Sequence, residues 1–217
     1  MSVETRLIEC RALNKILPMQ IPPLDSLDAY TLPLAQMVAG TSWLPHPDTV
    51  RALGRAAFPT VRARKQNPRS NLVVADGRTV GMYDDNTTPR WAFFWAHGIP
   101  ETAHPSNRTF AHVWEGADDI GAYTHLANLV MVPEPFASLT DKDGPLTRFL
   151  RRHAWTVYGW KPASAAAPAT PNGYDQVRWR YMTRFDRPRE FIRDRVVQLK
   201  NERVEILRPI MKNLGML

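Results

Sequence analysis

The stretch FAHVWEGADDIGAYTHLANLVMVPEPFASLTDKD, Phe110 to Asp143, decides how the centre of this chain is read. An apolar run, Phe110-Ala111-His112-Val113-Trp114, predicts a strand that carries a histidine. A polar, acidic loop follows from Glu115 to Asp119, then Tyr123-Thr124-His125-Leu126-Ala127-Asn128. The second apolar run, Leu129 to Val132, predicts a second strand. Pro133-Glu134-Pro135 then opens a short helix over Phe136-Ala137-Ser138-Leu139. The expected order is strand, loop, strand, helix, with His112 on the first strand and Asn128, sixteen residues later, opening the second.

That arrangement resembles the His-Asn-His (HNH) nucleases of the ββα-metal superfamily, over Phe110 to Asp143 of 217 residues. The resemblance implies that His112 is a general base, taking a proton from the water that attacks a phosphodiester. It implies that Asn128 holds that histidine in position. It further implies a divalent cation, Mg²⁺ or another, at the scissile phosphate and leaving oxygen. The residue types suit the chemistry, because imidazole titrates near neutrality and a hard cation carries developing negative charge. Two positions depart from the family pattern. Ala111 stands where many members place an acidic or histidine ligand, and Ala137 stands where the third motif residue falls on the helix. His125 and Asp119 in the loop, and Asp141 beyond the helix, are the candidates to replace them as metal ligands. The alternative is a fold that has lost its metal and only binds DNA.

Composition bounds the remainder. A hydrophobic fraction of 44% with seven tryptophans suffices for a sizeable core. No run of eighteen apolar residues occurs, and the opening MSVETRLIECRALNKIL lacks the apolar segment of a signal peptide. No membrane span and a cytoplasmic location are therefore expected. The single cysteine, Cys10, excludes an internal disulfide framework and zinc sites built on cysteine pairs. No phosphate-binding GxxxxGK[ST] or GxGxxG element and no GxSxG elbow is present.

The net charge of +7 favours anionic partners, nucleic acid first. Arg62, Arg64, Lys65 and Arg69 fall in one acid-free segment, VRARKQNPR. From Tyr174 onward eleven Lys/Arg face six Asp/Glu, which is five of the seven net positive charges. Lysine and arginine supply most sequence-independent affinity for phosphate. The expected duplex contacts are therefore Arg62, Arg64, Lys65, Arg69, Arg108, Arg178, Arg180, Arg189 and Arg193. The plainer reading of the same charges is a solvated surface.

Residues 1–59 are expected to form a helical N-terminal region, with helices over 3–17, about 28–39 and about 47–57 separated by prolines. Residues 60–160 hold a β-hairpin and the HNH-like centre. Asp76-Gly77 between apolar runs marks the hairpin turn. Asp84-Asp85-Asn86-Thr87-Thr88-Pro89 reads as a helix cap rather than a pair of metal-binding acids. The helix that it opens, Arg90 to His97, places Trp91, Phe94 and Trp95 in the core. Another helix runs from Gly144-Pro145 to Tyr158, and its His153 reads as a packed or surface histidine. Residues 161–173, KPASAAAPATPNG, read as an Ala/Pro linker. Residues 174–217 read as a short strand and a long basic helix from Arg187-Pro188 to about Asn213.

The expected fold is α+β: a helical N-terminal part, a β-hairpin and ββα-metal-like core, and a long basic C-terminal helix. The function implied by the resemblance is that of a metal-dependent DNA endonuclease, restriction- or defence-like. Double-stranded DNA would be its partner, and a homodimer the natural match to a palindromic site. The other readings are a catalytically degenerate DNA-binding protein on the same fold, and a structural interaction protein.

Overall fold

The computed structural model describes residues 28–63, 72–100, 106–140 and 144–217. The expected helix over 3–17, Cys10, Arg64, Lys65, Arg69 and Asp141 lie outside them. The chain divides into Met1–Thr31 and Leu32–Leu217, and the architecture below is that of the second unit. Its elements in order are α1 (Asp28–Thr41, crossing the division), α2 (Pro47–Leu53), β1 (Thr60–Arg62), β2 (Leu72–Ala75) and β3 (Arg78–Asp84). Then come α3 (Thr87–Trp95), β4 (Arg108–His112), β5 (Leu129–Pro133), α4 (Ala137–Thr140), α5 (Thr147–Tyr158), α6 (Pro188–Gln198) and α7 (Glu202–Asn213). The fold is mixed α+β, and no helix among the described residues is long and apolar enough to cross a membrane.

Leu129-Val130-Met131-Val132 carries no polar residue because both of its faces are covered. Side chains alternate across a strand. Leu129 and Met131 enter a cluster with Phe93, Phe94 and Trp95 of α3, whereas Val130 and Val132 join Leu150 and Ala154 of α5. A strand buried on both sides needs an unbroken apolar run rather than an alternating one. β4 pairs antiparallel with β5, with His112 opposite Leu129 and Arg108 opposite Pro133.

The other sheet has the order β1-β3-β2. The expected hairpin is β2–β3, turned by Asp76 (φ 49°) and Gly77 (φ 71°). Two positive φ angles in succession match the twist of the flanking strands, which is why this dipeptide type marks such turns. β1 runs parallel to β3, Thr60 beside Met82. At the end of β3 the expected cap forms through Asp84, whose Oδ2 accepts from the Thr88 N–H and hydroxyl, both at 2.9 Å. These two hydrogen bonds tie Asp84 to the first turn of α3, which starts at Thr87, three residues before the expected Arg90.

The basic tail departs from its expected shape. One long helix becomes two, because Asn201 Oδ1 accepts from Arg203 N at 3.0 Å and caps a new start. The turn lets Ile192 and Val196 of α6 and Val204, Leu207, Ile210 and Met211 of α7 enter the same cluster as α3. Residues 161–173 lie inside the unit Leu32–Leu217 rather than at a boundary. The Pro168 carbonyl accepts from Arg152, the Ala165 carbonyl accepts from Lys161, and a Cβ on Gly173 would meet a Leu32 methyl at 2.7 Å. Beyond this stretch, Leu44 accepts from Met182 N and donates to the Arg180 carbonyl, both at 2.8 Å, while Trp43 bridges to Met131. The expected short strand around Tyr181 is this single line of bonds, and it stitches the tail to β5.

Three arginines expected on a duplex, and Arg208 besides, are seated on helix ends. Arg108 donates to the Thr41 carbonyl, and Arg180 to the Gly40 carbonyl with its guanidinium 4.1 Å above Trp43. Arg189 donates to the Leu53 carbonyl at 3.0 Å. Arg208 reaches the Val196 carbonyl through Nε at 3.2 Å and Nη2 at 3.0 Å. The last carbonyls of a helix lack internal partners and form its negative end, so cations settle there. Arg208→Met should therefore destabilise the fold by about 1–2 kcal/mol in urea titration, through lost bonds to the end of α6. A change within error would mean that the contact is only electrostatic decoration.

Candidate functional site

The loop between β4 and β5 is fixed by Asn128, which is fully buried. Its Oδ1 accepts from Trp114 N at 2.7 Å, and its Nδ2 donates to the Ala122 carbonyl at 3.0 Å. One carboxamide thus clamps both ends of the excursion that follows His112. Thr124 fastens the far side, donating to the Phe58 carbonyl at 2.8 Å and accepting from Phe58 N at 3.0 Å. Gly116, at φ 146°, makes the bend, where a Cβ would come within 3.0 Å of the Ala122 side chain.

His112 is half-buried at the end of β4, stacked on Tyr123 with ring centroids 5.2 Å apart and planes 10° apart. Its Nε2 lies 2.9 Å from the Tyr123 carbonyl oxygen. A carbonyl only accepts, so Nε2 carries the proton and Nδ1 holds the lone pair of the neutral ring. The Tyr123 hydroxyl sits 3.2 Å from Asp84 Oδ2 and 2.9 Å from Asn86 Oδ1. Burial, reinforced by the Asp84 carboxylate, pushes that phenol far above its ordinary range and keeps it a donor. Asp84 is itself paired with Arg203, which also reaches Asp85 at 2.9 Å.

His112 opens onto a cleft of about 190 Å³ bordered by Arg62, Trp114, Glu115, Asp118 and Arg151. β1 delivers Arg62, whose backbone N–H donates to the Ala117 carbonyl at 2.7 Å. α5 delivers Arg151, which donates through Nε to the Val113 carbonyl at 3.2 Å and lies 5.2 Å from the Trp114 ring. The indole Nε1 of Trp114 is buried and finds no acceptor among the described residues. The cleft therefore combines an imidazole, two carboxylates and two guanidinium groups. Such a set can bind an oxyanion and move a proton beside it.

Of the residues expected to act, His112 and Asn128 occupy the cleft edge and the clamp beneath it, and Arg62 borders the cleft. Asp119 and His125 do not border it. Asp119 Oδ1 accepts from Gly121 N at 2.7 Å, a turn contact within the loop. His125 Nδ1 accepts from Ala127 N at 3.2 Å, and its ring stacks on Trp160 at 4.5 Å. Burial takes its pKa down to about 4, as befits a neutral ring used for packing. Arg178 donates to the Asp175 carbonyl at 2.9 Å, and Arg193 pairs with its neighbour Asp194 at 3.5 Å. Arg108, Arg180 and Arg189 contact carbonyls at helix ends. Glu115, Tyr123 and Arg151 were not singled out by sequence. Glu115 carried one signal, its place directly after the first strand, whereas Arg151 joins through a contact 38 residues away in sequence.

Among the described residues no three of His, Cys, Asp and Glu come together as a cation site. His112, Glu115 and Asp118 border one cleft, together with the guanidinium groups of Arg62 and Arg151. Comparison with protein-family models, curated proteins and solved structures gives no match.

Proposed function

We propose that this chain is a nuclease, cleaving a nucleic-acid phosphodiester at the cleft beside His112. The observation that carries this reading is the pairing of an oriented imidazole with Arg62 and Arg151 in one concavity. Tyr123 fixes the ring and its tautomer, which prepares His112 to exchange a proton with a reacting oxygen. The two guanidinium groups are suited to a phosphodiester because they stay charged and match its oxygens in pairs. The resemblance to HNH nucleases around His112 and Asn128 supports the same assignment.

Supercoiled plasmid and a mixed RNA, each incubated with Mg²⁺, with Mn²⁺ and with EDTA, test it. The wild-type chain should cut at least one substrate, and His112→Ala should slow that cutting about a hundredfold or more without changing the melting temperature. Undiminished cutting by the variant would remove His112 from the site. A binding-only protein is the second reading, favoured by Ala111 and Ala137 at the positions where the resembled family places ligands. It would cut nothing, and its retention of nucleic acid would weaken with salt.

A further inference from the structure

We propose that a second concavity, where α3 faces the junction of α6 and α7, binds a nucleotide through its phosphate and its base. No residue borders both this groove and the His112 cleft, so the assignment does not rest on the nuclease reading. The groove holds about 680 Å³, within the roughly 300–1,000 Å³ of small-molecule sites. Its lining contains three kinds of group. Met82, Trp91, Leu199 and Ile206 supply an apolar wall. Arg90 from α3 and Lys200 from the junction are cations delivered by separate elements. Glu202, which opens α7, adds a carboxylate.

Each kind of group matches one part of a nucleotide. Leu199 and Ile206 are half-buried against the cluster that holds Met82 and Trp91, which leaves apolar surface toward the groove. Trp91 is itself stacked on Trp95, with centroids 4.8 Å apart, so the wall is firmly packed. A planar base gains by covering such a wall. Arg203 also borders the groove, but its charge is met by Asp84 and Asp85. Two cations, Arg90 and Lys200, then stand against one carboxylate, Glu202, and the excess draws an anion. A guanidinium takes phosphate oxygens in pairs, and an ammonium beside it acts as a point charge. Glu202 accepts hydrogen bonds, and ribose hydroxyls donate them. A fatty acid brings no such donors, and inorganic phosphate leaves the apolar wall wet. The same chemistry is offered by a free nucleotide and by the phosphorylated end of a nucleic-acid strand.

Calorimetry on the full chain in EDTA tests the site, with ADP, UDP, adenosine, inorganic phosphate and a 5′-phosphorylated trinucleotide as probes. At least one nucleotide should bind, and adenosine and phosphate should each bind about tenfold more weakly or worse, since each makes only part of the contacts. Arg90→Gln and Lys200→Gln should each weaken that nucleotide about tenfold while melting like wild type, and Arg62→Gln in the other cleft should leave it unchanged. Tighter binding of the trinucleotide than of ADP and UDP would name a strand end as the ligand, and the reverse a free nucleotide; either supports the site. No binding of ADP, UDP or the trinucleotide would overturn it. So would phosphate that binds as tightly as they do, or binding that falls in Arg62→Gln and persists in Arg90→Gln. None of these results decides whether the chain cuts at His112, which the plasmid and RNA assays read separately.

Discussion

On acidification from pH 7 to pH 5, the protein should lose on the order of 5 kcal/mol of stability. Three histidines carry this expectation. His97, His125 and His153 are 6%, 8% and 5% exposed, and burial holds each pKa down at about 4 against an ordinary 6.5. The bonds of His97 and His125 require neutral rings. His97 Nε2 accepts from His46 N at 3.1 Å while Nδ1 sits 2.6 Å from the Phe93 carbonyl, and His125 Nδ1 accepts from Ala127 N. His153 lies between the hydroxyls of Tyr174 and Tyr181, at 3.0 and 2.8 Å, in a surround completed by Tyr158 and Trp179.

The folded pKa lies below the unfolded one, so the unfolded chain binds more protons between pH 6.5 and pH 4. Stability from these rings is complete above pH 6.5, falls through that window, and levels off below pH 4. By pH 5 each ring contributes a loss of about 2 kcal/mol, and a whole domain holds only about 5–15 kcal/mol. Urea titrations at half-unit pH steps would show it. A midpoint flat from pH 7 to pH 5 would mean that the rings are solvated or already charged. His153→Phe should remove about a third of the slope, since a ring that cannot ionise drops out of the linkage.

Removing Arg203 should be nearly as severe. Asp84 has a fully buried carboxylate, and Arg203, 21% exposed, is its only cationic partner among the described residues. Thr88 and Tyr123 hydrogen-bond the carboxylate but bring no charge. Arg203→Met leaves a buried anion uncompensated, at a cost of about 3–5 kcal/mol. Asp84→Asn in the same background should recover a large part of that loss, because an amide needs no counter-charge. A double-mutant cycle in urea reads the coupling directly. If Arg203→Met shifts stability by less than about 1 kcal/mol, the pair is solvated and the network beneath Tyr123 is held by its hydroxyls.

Sequence legibility followed the range of the forces involved. The Asp76-Gly77 turn, the cap before α3 and the strand pair around His112 and Asn128 are set by neighbours, and all were readable. The break between α6 and α7 had a local sign, Asn201, but the surrounding helical pattern overrode it. Partners far apart in sequence left no trace. Arg203 meets Asp84 across 119 positions, and Arg180 meets Gly40 across 140. Basicity was the least informative signal, because a guanidinium on a helix end and one facing a phosphate look alike in a sequence. His97 and His125 as buried rings left no sign for the same reason, whereas His153 beside an apolar stripe was already readable as packed or surface.

Val204, Leu207, Ile210 and Met211 complete the cluster that contains Val50, Phe58 and the apolar face of α3. During synthesis that cluster therefore stays open until residue 211 has left the ribosome tunnel. Phe93, Phe94 and Trp95 emerge well before α6 and α7, which complete their cover, although chains usually fold their early parts first. The nascent chain is thus a natural client for holding chaperones. A stalled or prematurely terminated product, lacking its last two helices, should aggregate rather than persist as a smaller folded protein.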